Sequence, residues 1–512
     1  MKRRTFLRTL GISASLALNG LLISTAAAKT TQTVRKVLYA DKKRPSRPTN
    51  ILWIISDDHS RSDLGCYGHP LVKTPNIDRL ASEGMRFTNA FALAPTCAPT
   101  RSGLITGMYP ISIGAHNQRN DRAVLPEHVR LLPEYFKDAG YFCVNTTWDI
   151  KRPGKADYQF QWKREATYER ATDWAKRKPD QPFFAQVQIS EPHRPFKTDI
   201  KNPIDPSKID LPPQYPDDPI VRIDFARYLE SIQLLDHKVG RVLNKLDQEG
   251  DADNTIVFFF SDQGRPFPCG KQFLYDEGLA IPLIIRWPGK VQPASVCAKL
   301  VSMLDFAPTC LRLAGLDVPG HMQGSVFLGK SAMAREYVFA SRDRVDDAVD
   351  RIRCLRTKRY KYIRNYYPEL PYDQNETYMV MMHPTLAVLK KYFAEGKLTP
   401  AQSKWMARHR PQEELYDVQN DPHELNNLAD NPRYGKLLRS FWEKLNRWIH
   451  QTADRGRQPE DESFLDKVRK DYQQRLSKTL RNRGLTNPTE LYDYWRRTLK
   501  PTPSKGKTKR KY

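Results

Sequence analysis

Apolar positions along the chain come in two patterns. Short continuous runs of strand length alternate with stretches in which apolar residues recur every three or four positions. Asn50-Ile51-Leu52-Trp53-Ile54-Ile55-Ser56 and Thr255-Ile256-Val257-Phe258-Phe259-Phe260-Ser261 offer no polar face. That is the texture of strands buried inside a parallel sheet. Residues 141–145 and 182–189 read as further strands, and 87–91 as a strand or a buried approach. Leu229, Ile232, Leu235, Val239, Val242 and Leu246 recur at helical spacing within 223–246. Residues 73–84 predict a short helix with Thr74 as N-cap, Pro75 at its first position and Gly84 closing it. Residues 132–139 repeat the device with Pro133 and Gly140. Alternation of strands and helices predicts an α/β fold on a mostly parallel sheet flanked by helices.

The texture changes near residue 335. Residues 352–366 predict an antiparallel hairpin broken at Thr357-Lys358, and 414–418 a short strand before the turn Asn420-Asp421-Pro422. Leu438, Phe441, Leu445 and Trp448 mark an amphipathic helix. The expected organisation is a catalytic domain over 48–335 and a smaller C-terminal α+β subdomain, containing an antiparallel sheet, over 336–499. Residues 500–512 form a Lys- and Arg-rich tail without expected fixed structure.

The N-terminus carries Arg3-Arg4-Thr5-Phe6-Leu7, a modest apolar run and Ala26-Ala27-Ala28. Residues 1–28 therefore read as an export signal peptide resembling a twin-arginine signal, followed by a linker over 29–47. The mature protein is expected in the periplasm or outside the cell. No internal stretch is long and apolar enough to predict a membrane span.

Charge narrows the partners. Lys and Arg total 83 against 58 Asp and Glu, a net charge of +25. This favours an anionic partner, whether nucleic acid, an acidic polysaccharide or a membrane surface. The seven cysteines contain no C-x-x-C pair, which argues against zinc clusters and thioredoxin chemistry and leaves disulfide pairing open.

Polar residues gather where the predicted strands stop, at Asp57-Asp58, at Glu191-Pro192-His193-Arg194 and at Asp262-Gln263. In open α/β sheets ligands bind at such carboxyl ends. Asp57, Asp58 and Asp262 are hard oxygen donors, and Gln263 offers an amide oxygen. Oxygen-only ligation selects calcium or magnesium over zinc. Cys97 opens a predicted helix with Pro99 in its first turn and Arg101 one turn on, a place that suits an anion. A free cysteine near a turn is otherwise ordinary core filler.

Together these residues resemble the type I sulfatases of the alkaline-phosphatase superfamily. Cys97-Ala98-Pro99-Thr100-Arg101 matches their C-x-P-x-R maturation signature. It occurs with Gly65-Cys66-Tyr67-Gly68, residues 74–80, Ser261-Asp262-Gln263-Gly264 and Leu415-Tyr416-Asp417 in the family's order. The resemblance spans about 48–450. Residues 191–194 and 266–271 most resemble the branch of heparan N-sulfatase (sulfamidase) and related bacterial polysaccharide sulfatases.

The resemblance implies that Cys97 is converted to formylglycine by dedicated maturation machinery. It implies one calcium ion held by Asp57, Asp58, Asp262, Gln263 and the modified Cys97. Arg101 would hold the formylglycine, Lys155 and Lys271 would neutralise sulfate oxygens, and His193 would protonate the leaving group. His116 and Arg194 are expected at the substrate. Two departures stand out. Gln263 replaces an Asn or His, and Lys155-Ala156-Asp157 replaces a Lys-x-His pair, so Asp157 either assumes the histidine's proton-accepting role or binds substrate. Lys151 competes with Lys155 for the lysine position. The activity implied is hydrolysis of sulfate esters, or of N-sulfate, in a polysaccharide or glycosaminoglycan fragment, with no nucleic acid involved. A phosphate or phosphonate ester hydrolase of the same superfamily and a non-catalytic binder of sulfated glycan are the alternatives.

Overall fold

The structure, a computed structural model, describes residues 48–120 and 122–503. The export signal, the linker up to residue 47 and the tail from 504 lie outside the described residues.

Seven strands form the main sheet: β1 (Asn50–Ser56), β2 (Met85–Phe91), β3 (Phe142–Thr147), β4 (Phe183–Gln188), β5 (Thr255–Ser261), β6 (Ala280–Arg286) and β7 (Ser295–Ser302). Their order is β3-β4-β1-β5-β6-β2-β7. Only β6 runs against the others, pairing antiparallel with β5 and β2. Strands β1 and β5 are buried along their whole length, as their unbroken apolar runs require. Trp53 anchors the core, its ring edge-on to Phe184, Phe260 and Phe306 at centroid distances of 5.1, 5.6 and 6.3 Å. Register decides which side chains meet past the strand ends. Ile55 pairs with Gln188 on one side, and Ser56 with Ser261 on the other. The chain therefore leaves β1 and β5 in step, with Asp57 beside Asp262.

The long helix Pro219–Gln248 begins four residues before the expected stretch. Asp218 caps it by accepting from the Ile220 amide, and Pro219 takes the first position, where its missing N–H costs nothing. The helix Pro75–Glu83 corrects an expectation. Thr74 precedes it but makes no side-chain cap. Its hydroxyl instead accepts from the Gly65 amide and donates to Asp78. The free amides of Asn76 and Ile77 are satisfied by Asp236 of the long helix, at 3.0 and 2.8 Å. The cap comes from another element because a carboxylate there locks two helices together as well as closing one.

A second sheet, β8 (Val338–Arg342), β9 (Ile352–Arg356), β10 (Tyr360–Asn365) and β11 (Glu413–Asp417), is fully antiparallel in the order β11-β10-β9-β8. The predicted helix after it covers Gly435–Gln451, and two more, Glu462–Asn482 and Leu491–Thr498, come after that. Arg353 of β9 is wholly buried and ties this region together. Its guanidinium donates to Asp343 and to Asp454 at 2.8–3.1 Å. All seven cysteines are free thiols. Among the described residues no helix is long and apolar enough to cross a membrane.

The Arg353 cluster yields a pH prediction. Burial works to raise the Asp454 carboxyl, but Arg353 outweighs it and holds the group down to about 2, against an ordinary 3.8. Its stabilisation is complete above the unfolded value, and it is lost as pH falls from about 4 towards about 2, roughly 2 kcal/mol in all. Urea unfolding of wild type and Asp454→Asn across that interval should show the gap between them closing as the pH drops. A gap independent of pH would contradict the assignment.

Candidate active site

Two local features aim the carboxylates at the end of β1. Successive side chains of a strand point to opposite faces. Asp58 breaks that alternation with φ 63°, a left-handed conformation that Asp tolerates better than most residues. Gly264 is required at the end of β5 for a different reason. A Cβ there would lie 2.0 Å from the Glu277 carbonyl oxygen. The Asp262-Gln263 turn can therefore close against 277–278 only with glycine behind it.

The carboxylates of Asp57, Asp58 and Asp262 then meet in a buried cluster with cations around them. Arg101 spans it, donating from Nε to Asp262 Oδ2 at 2.8 Å, from Nη1 to Gln188 Oε1 at 2.7 Å and from Nη2 to Asp57 Oδ2 at 3.4 Å. Lys155 Nζ donates to Asp57 Oδ2 at 2.7 Å, and Lys271 Nζ to both Asp58 oxygens at 2.8 and 2.7 Å. Lys151, the competing lysine, is exposed on the surface. His193 points Nε2 at Asp58 Oδ2, 3.8 Å away, while its Nδ1 lies 2.6 Å from the Arg194 carbonyl. A carbonyl only accepts, so Nδ1 carries the proton and Nε2 faces the site bare in the neutral ring.

Cys97 is the first residue of the buried helix Cys97–Thr106. Burial, with Asp157 adding to it, pushes its thiol up to about 12. An unmodified Cys97 is therefore neither a thiolate nor a nucleophile near neutral pH. Gln118 Nε2 approaches its sulfur at 3.5 Å. Asp157 sits against it as well. Burial favours a neutral Asp157, but Lys155 and Arg119 outweigh that and hold it down to about 2. Burial and the adjacent Asp57 raise Asp262. His193 is lowered, first by burial and then by Lys271.

The oxygen donors fit a cation. Asp57, Asp58 and His193 offer ligand atoms within 4.8 Å of one another. Asp57 Oδ1 and Gln263 Oε1 are buried without a hydrogen-bond partner, while Gln263 Nε2 is turned to Asp58. Two buried oxygens without a hydrogen-bond partner are ligand atoms that a cation would satisfy.

The two residues expected at the substrate have other partners in this structure. Arg194 is clamped bidentate on Asp224 at 2.7 and 2.8 Å and also donates to the Pro266 and Met382 carbonyls. It braces the His193 loop, and its buried guanidinium is flanked by the rings of Phe196 and Phe267. His116 is buried, with Asp343, Arg353, Asp454 and Glu460 as its charged surroundings. It belongs to the second-sheet cluster. Conversely, Gln188, Gln118 and Tyr378 join the site without a sequence signature. Tyr378 packs beside His193 and under the Lys271 ammonium, with ring centroids 6.2 Å from the one and 5.2 Å from the other. Only Gln188 had a hint, as one of two glutamines, with Gln186, in a largely apolar strand.

Fixed cations around a concave set of oxygen donors stabilise a transferring group that carries negative charge on several oxygens. That property defines the class: hydrolases of anionic esters. The family is narrower. The sulfatase family model matches residues 49–316, and the model of the C-terminal part of N-sulphoglucosamine sulphohydrolase matches 268–395. An ulvan-active sulfatase of Formosa agariphila is 35% identical over 483 residues, covering 82% of this chain and 78% of that protein. Human N-sulphoglucosamine sulphohydrolase is 27% identical over 470 residues, covering 80% and 91%. Among solved structures, BT4656 in complex with its substrate D-glucosamine-2-N,6-O-disulfate superposes with a TM-score of 0.59 at 20% identity, covering 80% of this chain and 99% of that one. The chain belongs to the sulfatase family and is a sulfuric ester hydrolase.

Arg101 offers a test that does not depend on turnover. Arg101→Ala strands two buried carboxylates, and breaking such a pair costs about 3–5 kcal/mol. The urea midpoint should fall accordingly. Arg101→Lys should recover only part, since an ammonium cannot reach Asp57, Asp262 and Gln188 together. A midpoint unchanged in Arg101→Ala would show that the cluster is not held by this residue.

Proposed function

We propose that the protein is an exported, calcium-dependent sulfatase that removes sulfate from a sulfated carbohydrate, a polysaccharide or glycosaminoglycan fragment, through a formylglycine made from Cys97. The observation that carries this reading is the placement of a C-x-P-x-R cysteine, inert as a thiol, at a helix start beside orphaned oxygen donors. The names of the relatives, which include ulvan-active sulfatases and N-sulphoglucosamine sulphohydrolase, support a glycan substrate. The twin-arginine-like segment supports export to the periplasm or beyond.

Asp57, Asp58, Asp262, Gln263 and residue 97 would hold the calcium, which would supply polarisation of the sulfate oxygens. Formylglycine would supply, as its hydrate, an oxygen nucleophile that a thiol with a pKa of about 12 does not. Lys155 and Lys271 offset charge on the sulfate oxygens. Arg101 keeps Asp57 and Asp262 in place. Asp157, ionised and against residue 97, accepts a proton there. His193 Nε2 gives a proton to the bridging atom as the bond to sulfur breaks. The ring is biased towards neutral in the free enzyme. An anionic sulfate beside it supplies the negative charge that favours the protonated form.

Two measurements test this. Wild type should release sulfate from sulfated saccharides, and peptide mass across residue 97 should differ from that of cysteine. Cys97→Ala should abolish release while leaving the unfolding midpoint near wild type. Intact cysteine together with no release from calcium-loaded protein rules the reading out. His193→Ala should slow release from a sugar sulfate by roughly 10²–10⁴-fold. The same change should matter far less for 4-nitrophenyl sulfate, whose leaving group needs no proton. Equal losses on both would remove His193 from the acid role.

A further inference from the structure

The site is nearly sealed, and the exposed parts of its charged side chains show where solvent enters. Lys155 is 32% exposed, His193 27% and Arg119 48%. Arg119 is the most open of these, and the chemistry above uses only one of its donors, the one that helps hold Asp157 ionised. Its Nη1 donates to Asp157 Oδ1. Its Nε and Nη2 make no hydrogen bond with the described residues. Its titratable neighbours are Cys97, Asp157, Asp346 and Tyr472. It stands between the reacting residue and the edge of the site with a donor edge unspent.

Arg119 is also held in place. It has φ 62°, a left-handed conformation that non-glycine residues seldom adopt. Both neighbours are pinned. The Gln118 amide donates to the Arg344 carbonyl at 2.9 Å, and the Asn120 amide to Gln159 Oε1 at 2.8 Å. Asn120 Nδ2 and Arg344 Nη2 both donate to Glu460 Oε1, at 2.7 and 3.1 Å. The helix Glu462–Asn482 then supplies the wall opposite. Tyr472 donates to Asp346 Oδ1 at 2.7 Å. Burial raises the Asp346 carboxyl, against the bond from Tyr472 and the charge of Arg119, which lower it. Glu460 and Tyr472 lie beyond both matched family segments.

We propose that Arg119 is a specificity-determining residue that binds a second anionic group of the saccharide, a carboxylate or another sulfate, on the sugar adjoining the scissile sulfate. This rests on the sulfatase reading above. A planar guanidinium with two free N–H directions suits an oxyacid, which it can grip at two oxygens. A neutral sugar would leave that edge to water.

The test compares three disaccharides that share one scissile sulfate. One carries a uronate carboxylate, one has that carboxylate reduced to the alcohol, and one carries a second sulfate instead. 4-Nitrophenyl sulfate serves as the control. Wild type should favour one or both doubly anionic sugars over the reduced one by about 10–100-fold in kcat/KM, mainly through KM. Which of the two it favours identifies the anion. Arg119→Gln should bring that ratio close to one, and Arg119→Lys should keep part of it. Equal wild-type kcat/KM for all three sugars overturns the proposal, and so does an Arg119→Gln enzyme that loses kcat on every sugar but keeps the ratio. Since the wild-type ratio is decisive alone, a variant that fails to fold does not rescue it. Turnover of 4-nitrophenyl sulfate without any sugar preference sinks this proposal and leaves the sulfatase reading standing. No release from any of the four removes both.

Discussion

Carboxylates held side by side in a buried place repel one another and lose their hydration, and this constraint governs the centre of the molecule. Pairing of Ser56 with Ser261 puts Asp57 and Asp262 there, and the left-handed turn at Asp58 adds a third. Nothing in the strands compensates for that charge. Compensation arrives from elsewhere in the chain: Arg101 from the helix after β2, Lys155 from the loop after β3, Lys271 from the loop after β5. Each of these loops is fastened at the strand ends because a buried carboxylate needs it there. The same crowding of charge that makes the cluster costly without partners gives it the oxygen donors a cation needs and the fixed cations an anionic ester needs.

The core and the metal-type carboxylates were readable because their physics is local. An apolar run without a polar face has one stable home, and β1 and β5 match their predicted runs residue for residue. Acidic residues just past such runs must lie at the sheet's carboxyl edge. Strand β6 was not among the expected elements, and its direction could not have been, since an apolar run carries no arrow. Thr74 and Arg194 show a second limit. Both have the right residue type for the expected role, cap and anion binder. Each was claimed by another partner, Thr74 by Asp78 and the Gly65 amide and Arg194 by Asp224. Gln188 and Tyr378 show a third limit. Their contribution is a position relative to Arg101, Lys271 and His193, and no spacing along the chain encodes it.

The two sheets meet through hydrogen-bonded polar side chains as well as apolar packing. Gln118, which touches Cys97, is held by the backbone of Arg344, and Arg344 is held by Glu460. Three segments far apart in the chain thus hold one residue beside Cys97. A geometry set this way is stiff, which suits chemistry that depends on placing donors before the charge develops.

The helix Cys97–Thr106 is buried at every residue. Cys97 itself is 1% exposed, so a reagent that is to reach its side chain finds it closed off in the finished fold. For the formylglycine proposed above this has a consequence in time: the change at residue 97 would have to precede the closing of the helix, and a chain that folded first would keep a thiol out of reach.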